Sequence, residues 1–323
     1  MENLLDRIER RTERLEARLA AVERRLASGA GAPSSKASSS GSGRAPAQSI
    51  PPWKMDAPSL QALASEMRAA VKKDAAAALN LEPAAEGSYL SQHARNVSKL
   101  AMFLAARHGL SEPTVQAVGL CGLLHDAGMD CLPHDFLWLD RPLTQDEFRT
   151  VRMHPARGAE YVRQHYAFGS LLDSVVPAVV EQHHERSDGS GYPRGLAGDR
   201  IHDLARILAV ADSYEAMVTP RPFRAARHPA EAMRLLLLQG WHSPKPALYD
   251  RNVLKTFVCA SSLYPVGCSV LLGDGRRGRV VEAGPDPRRP VVEILSGEGC
   301  GGMVDLARHP GISVAAPPPA VGR

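Results

Sequence analysis

The sequence predicts a mainly α-helical protein with an N-terminal coiled coil and a small C-terminal antiparallel β extension. Three patterns along the 323 residues support this class. A heptad pattern comes first, apolar residues at helical spacing fill the middle, and short β-branched runs separated by turn residues follow. A chain of this length exceeds one ordinary domain, so we expect one main domain with appendages.

The coiled coil is predicted over residues 1–28. Apolar residues recur there in steps of three and four, with one threonine in the series: Leu5, Ile8, Thr12, Leu15, Leu19, Val22 and Leu26. Glu and Arg fill the positions between them, as on the exposed faces of a coiled coil, so we expect a homo-oligomer formed through this segment. A solitary amphipathic helix packed on the body is the alternative.

The rest of the chain divides by composition. Residues 29–55 are rich in Gly, Ser, Ala and Pro, which predicts a flexible linker. Residues 56–259 keep apolar residues three and four apart, as in VSKLAMFLAARHGL, and predict the helical domain. Residues 260–313 alternate short apolar runs with DG, GP and RRP turn signals and predict the β extension. Residues 314–323, VAAPPPAVGR, predict a disordered tail.

Composition and charge exclude several classes of protein. The hydrophobic fraction is 44%, the charged fraction is 23%, and no uninterrupted apolar run is long enough to cross a bilayer, so we expect no membrane span. The first residues lack the apolar stretch of a signal peptide, which predicts a cytoplasmic location. The five cysteines include no CxxC pair, which argues against a zinc finger. A net charge of +4 favours anionic ligands only mildly, and we expect no DNA binding.

Seven residues of the helical region have the side-chain chemistry of metal ligands. They are His93, His125, Asp126, His154, His183, His184 and Asp212. Taken singly, each also fits an ordinary structural role. The adjacent pairs His125-Asp126 and His183-His184 are more informative, because each places two ligands at one end of an apolar stretch. Asp212 follows the apolar run RILAVA, and a buried carboxylate usually has a cation or a metal ion as its partner.

Five motifs, in order, resemble those of the HD-GYP domain family. GLLHDAGM resembles the HD motif, HPARG matches a His-Pro-x-x-Gly element, and HHERSDGSGYP carries the His-His-Glu and Gly-Tyr-Pro elements. ADSYEAMVTPRPFR resembles the segment that follows them. The resemblance covers residues 85–260 and implies a helical HD-type domain. The stretch YPVGCSVLLGDGRRGRVV is similar to a β-rich extension that often follows this domain.

The resemblance implies a phosphodiesterase that hydrolyses cyclic di-GMP or a related cyclic dinucleotide. It implies two divalent transition-metal ions, iron or manganese with zinc as the alternative, that share a bridging hydroxide. One ion takes two histidines and an aspartate: His93, His125 and Asp212. The other takes three histidines: His154, His183 and His184. Asp126 resembles the ligand that bridges the two ions.

The resemblance also assigns the substrate side of the site. Gly191, Tyr192 and Pro193 resemble a loop that shapes the mouth of the site. Arg221 and Arg224 match positions that face the ligand, where a planar guanidinium can bind phosphate or guanine. The alternative interpretation is that both arginines are solvated loop residues without a ligand.

Two positions depart from the family pattern. The family usually has lysine where this chain has Met129, so Asp126 and Met129 are the positions that we expect to bear most on catalysis. Family members with a third metal carry glutamate where this chain has Tyr89, which favours two ions. Methionine offers phosphate neither charge nor a hydrogen-bond donor. Three functions therefore stay open: the phosphodiesterase, a weak or inactive domain that senses a cyclic dinucleotide or binds a protein, and hydrolysis of another phosphorylated nucleotide.

Overall fold

The computed structural model describes the helical region and the β extension. The described residues are 51–74, 76–79, 81–82, 84, 88–132, 141, 143–169, 171–220, 225–241 and 247–316. The predicted coiled coil (1–28) and the two predicted substrate arginines, Arg221 and Arg224, lie outside these residues. Most of the predicted linker and the last seven residues, 317–323, lie outside them as well.

Nine α-helices make up the helical region of the described chain. They are α1 (Ala57–Lys73), α2 (Tyr89–Arg107), α3 (Glu112–Leu124), α4 (Gln145–Val151), α5 (His154–His165), α6 (Leu172–Gln182), α7 (Asp203–Val218), α8 (Pro229–Trp241) and α9 (Arg251–Ser261). Short 3₁₀ turns are Pro52–Lys54, Ala76–Leu79, Ala127–Cys131 and Gly198–Arg200. The predicted helical class is therefore confirmed for this region.

The helices enclose one apolar core, with α2 at its centre. α2 packs against both α3 and α7. Its apolar residues from Val97 to Ala105 are buried, and so is nearly every residue of α3 after Val115. Burying a leucine or methionine side chain contributes about 1.5–3 kcal/mol, so this core fixes the relative positions of the three helices.

The predicted linker, residues 29–55, extends too far along the chain. Pro52–Lys54 forms a 3₁₀ turn in which Trp53 is fully buried. The hydroxyl groups of Tyr161 and Tyr166 donate to the main-chain oxygen of Trp53 at 2.9 and 2.6 Å. Burial of a large indole outweighs the low structural propensity of its neighbours. The residues from Pro52 onward therefore belong to the helical body.

The chain after α9 forms a five-stranded antiparallel sheet, which confirms the predicted β extension. The strands are β1 (Ser269–Leu272), β2 (Arg277–Glu282), β3 (Val291–Ser296), β4 (Met303–Asp305) and β5 (Val314–Ala316). Their order is β4-β3-β2-β1-β5. Alternate residues point to a small separate core that includes Val270, Val280 and Val292. The sheet thus has an interior of its own, beside the helical core.

The predicted tail, residues 314–323, begins too early. Val314–Ala316 forms β5 and pairs with β1, opposite Leu271 and Leu272. A three-residue strand carries almost no pattern of its own, and it forms here because β1 offers an unpaired edge. No helix in the described part of the chain combines the length and apolarity that crossing a membrane requires.

Candidate metal centre

Five helices bring the seven predicted ligands together. His93 lies in the first half of α2, and Asp212 lies in α7. The other five stand at helix ends: His125 and Asp126 after α3, His154 at the start of α5, and His183 and His184 after α6. Six of the seven are buried, and the side chain of His184 is 20% exposed. The cluster is therefore largely shielded from water.

The ligand atoms form two groups of three, each with its donor atoms within 4.8 Å of one another. The first group is His93, His125 and Asp126, and the second group is His154, His183 and His184. Asp212 lies near both groups. Its Oδ1 is 3.4 Å from Nε2 of His93, and its Oδ2 is 3.9 Å from Nδ1 of His184.

Asp126 directs one oxygen to each group. Its Oδ2 lies 3.6 Å from Nε2 of His93 and 3.4 Å from Nε2 of His125. Its Oδ1 lies 3.3 Å from Nε2 of His154. A carboxylate with its two oxygens pointing to different ligand groups has the arrangement that a bridging ligand requires.

Four of the histidines are fixed in the tautomer that a metal ligand needs. In three of them, Nδ1 lies 2.6 to 2.9 Å from the main-chain oxygen three residues earlier: His125, His154 and His183. In His93, Nδ1 lies 2.5 Å from Oε2 of Glu215 instead. These acceptors carry no hydrogen, so Nδ1 is the donor in each case, and in the uncharged imidazole Nε2 keeps its lone pair.

These lone pairs face one another inside the centre. Nε2 of His93 lies 3.3 Å from Nε2 of His125, and Nε2 of His154 lies 3.2 Å from Nε2 of His183. Two nitrogen atoms that both lack a hydrogen cannot form a hydrogen bond. A cation shared between them satisfies both, so the residues present fit metal ions. Mixed imidazole and carboxylate donors suit iron, manganese and zinc.

Comparison with known protein families agrees with this geometry. A family model for the HD domain matches residues 58–245, more than half of the chain. The chain belongs to the HD domain family. The resemblance predicted from the motifs is thereby confirmed.

Two curated relatives and one solved structure are similar to this HD domain protein. A cyclic di-GMP phosphodiesterase from Pseudomonas aeruginosa is 39% identical over 197 residues, 60% of this chain and 44% of that protein. A 3'3'-cGAMP-specific phosphodiesterase from Vibrio cholerae is 36% identical over 180 residues, 56% of this chain and 40% of that protein. The chain thus spans less than half the length of either relative. An HDG"Y"P protein from Bdellovibrio bacteriovorus aligns at 24% identity with a TM-score of 0.49, over 62% of this chain and 63% of that one.

In the second group of this HD domain, two of the histidines are uncharged at neutral pH, His183 and His184. Burial, with the neighbouring His125 and His154 adding to its effect, lowers the pKa of His183 to about 3. Burial also lowers the pKa of His184 well below its usual value, with His183 adding to the effect. An uncharged imidazole keeps the lone pair that a metal ion needs.

In the first group, carboxylates dominate the electrostatics. Burial opposes protonation of His93, but Glu215, Tyr89 and Asp212 together outweigh it and raise the pKa of His93 well above its usual value. Burial likewise opposes ionisation of Asp126, but His125 and His154 outweigh it and hold the pKa of that carboxyl well below its usual range. The first group of the HD domain therefore contains an ionised carboxylate, whereas the second group consists of imidazoles.

Glu215 is a residue of the site that the sequence analysis missed. It is fully buried in α7, three residues after Asp212 and on the same face of the helix. Besides accepting from His93, it accepts from Nδ2 of Asn96 at 3.0 Å. A second carboxylate at that spacing from a candidate ligand was the signal that could have identified it. Carboxylates that hold a histidine in this way orient the ligand and raise its basicity.

The loop with the Gly-Tyr-Pro motif packs directly against the second group. A Cβ atom on Gly191 would lie 2.4 to 2.5 Å from main-chain atoms of residues 184–186, so only glycine fits. Tyr192 places its ring 4.7 Å from the ring of His184, centroid to centroid. The buried carboxylate of Glu185 accepts from the main-chain N–H of Arg194 at 2.7 Å and holds the loop in place. Glu185 is therefore a second residue whose role the motif did not reveal.

Met129 lies in the turn that joins the two groups. It is half-buried in the 3₁₀ turn Ala127–Cys131, directly after Asp126, and its N–H donates to the main-chain oxygen of Asp126 at 2.8 Å. Nη1 of Arg157 donates to the main-chain oxygen of Cys131 at 2.7 Å, so an arginine of α5 lies against the end of this turn. Asp130, the next residue of this turn, forms an ion pair with Lys54 at 2.5 Å.

Proposed function

We propose that the protein is a metal-dependent phosphodiesterase that hydrolyses cyclic di-GMP at a binuclear centre. The observation that carries this proposal is the pair of facing Nε2 contacts, 3.3 and 3.2 Å long, with Asp126 directed to both. Buried lone pairs in this arrangement fit metal cations, and two neighbouring metal ions are one means of hydrolysing a phosphodiester.

The ligand roles in this proposal follow the two groups. His93, His125 and Asp212 hold one ion; His154, His183 and His184 hold the other; Asp126 lies between them. Two bound ions would supply an activated water and would stabilise the attacking and leaving oxygens of an in-line displacement. The protein's own contribution is to orient the ligands through their Nδ1 contacts and to exclude bulk water from the centre.

A cyclic dinucleotide is the substrate class that the relatives favour. One similar protein is named for cyclic di-GMP and another for 3'3'-cGAMP, and both substrates are cyclic dinucleotides with two phosphodiester bonds. We propose cyclic di-GMP as the substrate because the relative with the higher identity, 39%, carries that name. Gly191, Tyr192 and Pro193 would line its entry.

A second candidate function rests on Met129. A half-buried methionine stands where the family usually has lysine, so the turn after Asp126 offers no cation to a phosphate. A weak or inactive domain that senses a cyclic dinucleotide or binds a protein would keep the ligands and lose turnover. The two candidates make different predictions for turnover and the same prediction for binding.

The deciding experiment incubates purified, metal-loaded protein with cyclic di-GMP and, in parallel, with 3'3'-cGAMP. Products are separated over time, and binding is measured separately by calorimetry. We expect cyclic di-GMP to be hydrolysed and the Asp126→Ala variant to be inactive. Binding without hydrolysis by the wild-type protein would reject the enzyme and support the sensor. Absence of both would reject both candidates.

Location and assembly complete the proposal. We propose that the protein works in the cytoplasm as a homo-oligomer formed through residues 1–28. Light scattering before and after deletion of residues 1–50 tests the assembly, and we expect the mass to fall to that of one chain. An unchanged oligomeric state in the deletion variant would favour the solitary helix.

A further inference from the structure

A cavity opens beside the metal centre, between the Gly-Tyr-Pro loop and the junction of α4 and α5. Its volume is about 280 Å³. It is lined by Arg152, Met153, Ala156, Arg157, Tyr192 and Pro193. Tyr192 joins this cavity to the centre, because its ring also lies against the ring of His184. The cavity and the metal centre therefore share one wall residue, Tyr192.

Arg152 is held over an aromatic face in this cavity. It ends α4, and the central carbon of its guanidinium lies 4.9 Å from the centroid of the Tyr192 ring and 5.9 Å from that of Phe148. Stacking of this kind fixes the plane of a guanidinium while its N–H groups stay directed outward at the edge. Arg152 is thus an oriented set of donors beside the centre.

Two arginines give the wall of the cavity positive charge. Among the residues that the structure describes, neither Arg152 nor Arg157 forms an ion pair with a carboxylate. Two apolar side chains beside them are unusually open to solvent, Phe148 at 47% and Met153 at 48%. Paired cations next to exposed apolar side chains are suited to a ligand that combines a phosphate with a flat ring.

We propose that Arg152 and Arg157 bind the second phosphodiester of the cyclic dinucleotide, the one that is not cleaved. This inference rests on the proposed function, since it concerns the same substrate. A cyclic dinucleotide has two phosphates, and the metal centre takes only one of them. The other needs a cation at a short distance from the centre, and Tyr192 connects the two positions. Because Met129 offers no charge, these two arginines provide the cationic contact on this side of the site.

The test compares Arg152→Gln with Arg149→Gln, a matched change on the same helix. Arg149 is exposed and paired with Asp146, away from the cavity. Each full-length, metal-loaded variant is titrated with cyclic di-GMP. Its turnover of cyclic di-GMP is compared with its turnover of bis(p-nitrophenyl) phosphate, which has a single phosphodiester. We expect Arg152→Gln to raise Kd for cyclic di-GMP about tenfold, as for loss of one charge-assisted hydrogen bond, and Arg149→Gln to match the wild type.

The ratio of turnover on the two substrates distinguishes loss of a subsite from a general defect in catalysis. The subsite is supported if Arg152→Gln lowers turnover of cyclic di-GMP by a factor about ten times larger than for bis(p-nitrophenyl) phosphate. Only the dinucleotide has a second phosphate that the arginine can bind. Equal losses on both, or a Kd equal to that of the wild type, would overturn it. Tight binding by a wild-type protein that hydrolyses nothing would reject the proposed enzyme, while the Kd comparison would still decide the subsite. A wild-type protein that binds no cyclic dinucleotide would overturn both.

Discussion

The two histidine groups face each other across Asp126, but the protein holds them in different ways. In the second group, His154 and His183 are oriented by main-chain oxygens of their own helical segments. In the first group, His125 is oriented in the same way, but His93 lies in the second turn of α2, where the main-chain oxygens are already used by the helix, and it depends on the side chain of Glu215. Ligands at helix ends can be oriented by local structure, whereas a ligand inside a helix needs a partner from a distant segment.

Asp126→Ala tests whether the two groups form one centre, and it should have the largest effect. The variant should lose most of both metal ions and all detectable phosphodiesterase activity, because one oxygen of Asp126 faces each group. Elemental analysis of the purified protein measures the metal content. Asp130→Ala is the matched control, since it removes a nearby carboxylate that pairs with Lys54 outside the centre. Full metal content in Asp126→Ala would contradict the bridging role.

Glu215→Gln tests the difference between the groups directly. We expect the affinity for one ion to fall by about 10-fold to 100-fold, because glutamine keeps the shape but removes the charge behind His93. The second ion should bind as in the wild type. Metal titration followed by calorimetry resolves the two events, and Glu231→Gln, a surface change on α8, is the control. An equal loss of affinity for both ions would show that the two groups do not bind their ions independently.

Met129→Lys adds a cation to the turn between the groups. We expect kcat for cyclic di-GMP to rise about tenfold, because charge is restored where the phosphoryl group gains negative charge in the transition state. KM should change less. Steady-state kinetics at equal metal loading measure both constants. Met303→Lys, which adds the same charge at an exposed position of β4, is the control. Unchanged or lower kcat with metals retained would refute the idea.

Val151→Ala should have the smallest effect and completes the comparison. His154 contacts the main-chain oxygen of Val151, which the substitution keeps. We therefore expect metal affinity to stay within about twofold of the wild type, in contrast to Glu215→Gln. The same metal titration applies. A loss as large as that of Glu215→Gln would mean that the packing around His154, rather than its main-chain contact, orients the ring.

The features that the sequence predicts well are those with a local signal. Adjacent ligands such as His125-Asp126 and His183-His184 stand at helix ends within recognisable motifs, and the apolar spacing of VSKLAMFLAARHGL predicts α2. Glu215 gives no such signal, because its role exists only once α2 and α7 pack together. Trp53 is a single aromatic residue just after a stretch rich in Gly, Ser, Ala and Pro, and it contacts Tyr161 and Tyr166, more than a hundred positions away.

The short contact between Gly128 and the first turn of α5 bears on the thermodynamics of metal binding. A Cβ atom on Gly128 would lie 2.0 Å from the main-chain oxygen of His154 and 2.5 Å from the main-chain nitrogen of Gly158, so main chain rests on main chain there. Asp126 and His154 are thus connected through a contact without rotatable side-chain bonds. An ion held by Asp126 and His154 would therefore meet main chain that is already ordered, so ordering that main chain would not reduce the affinity.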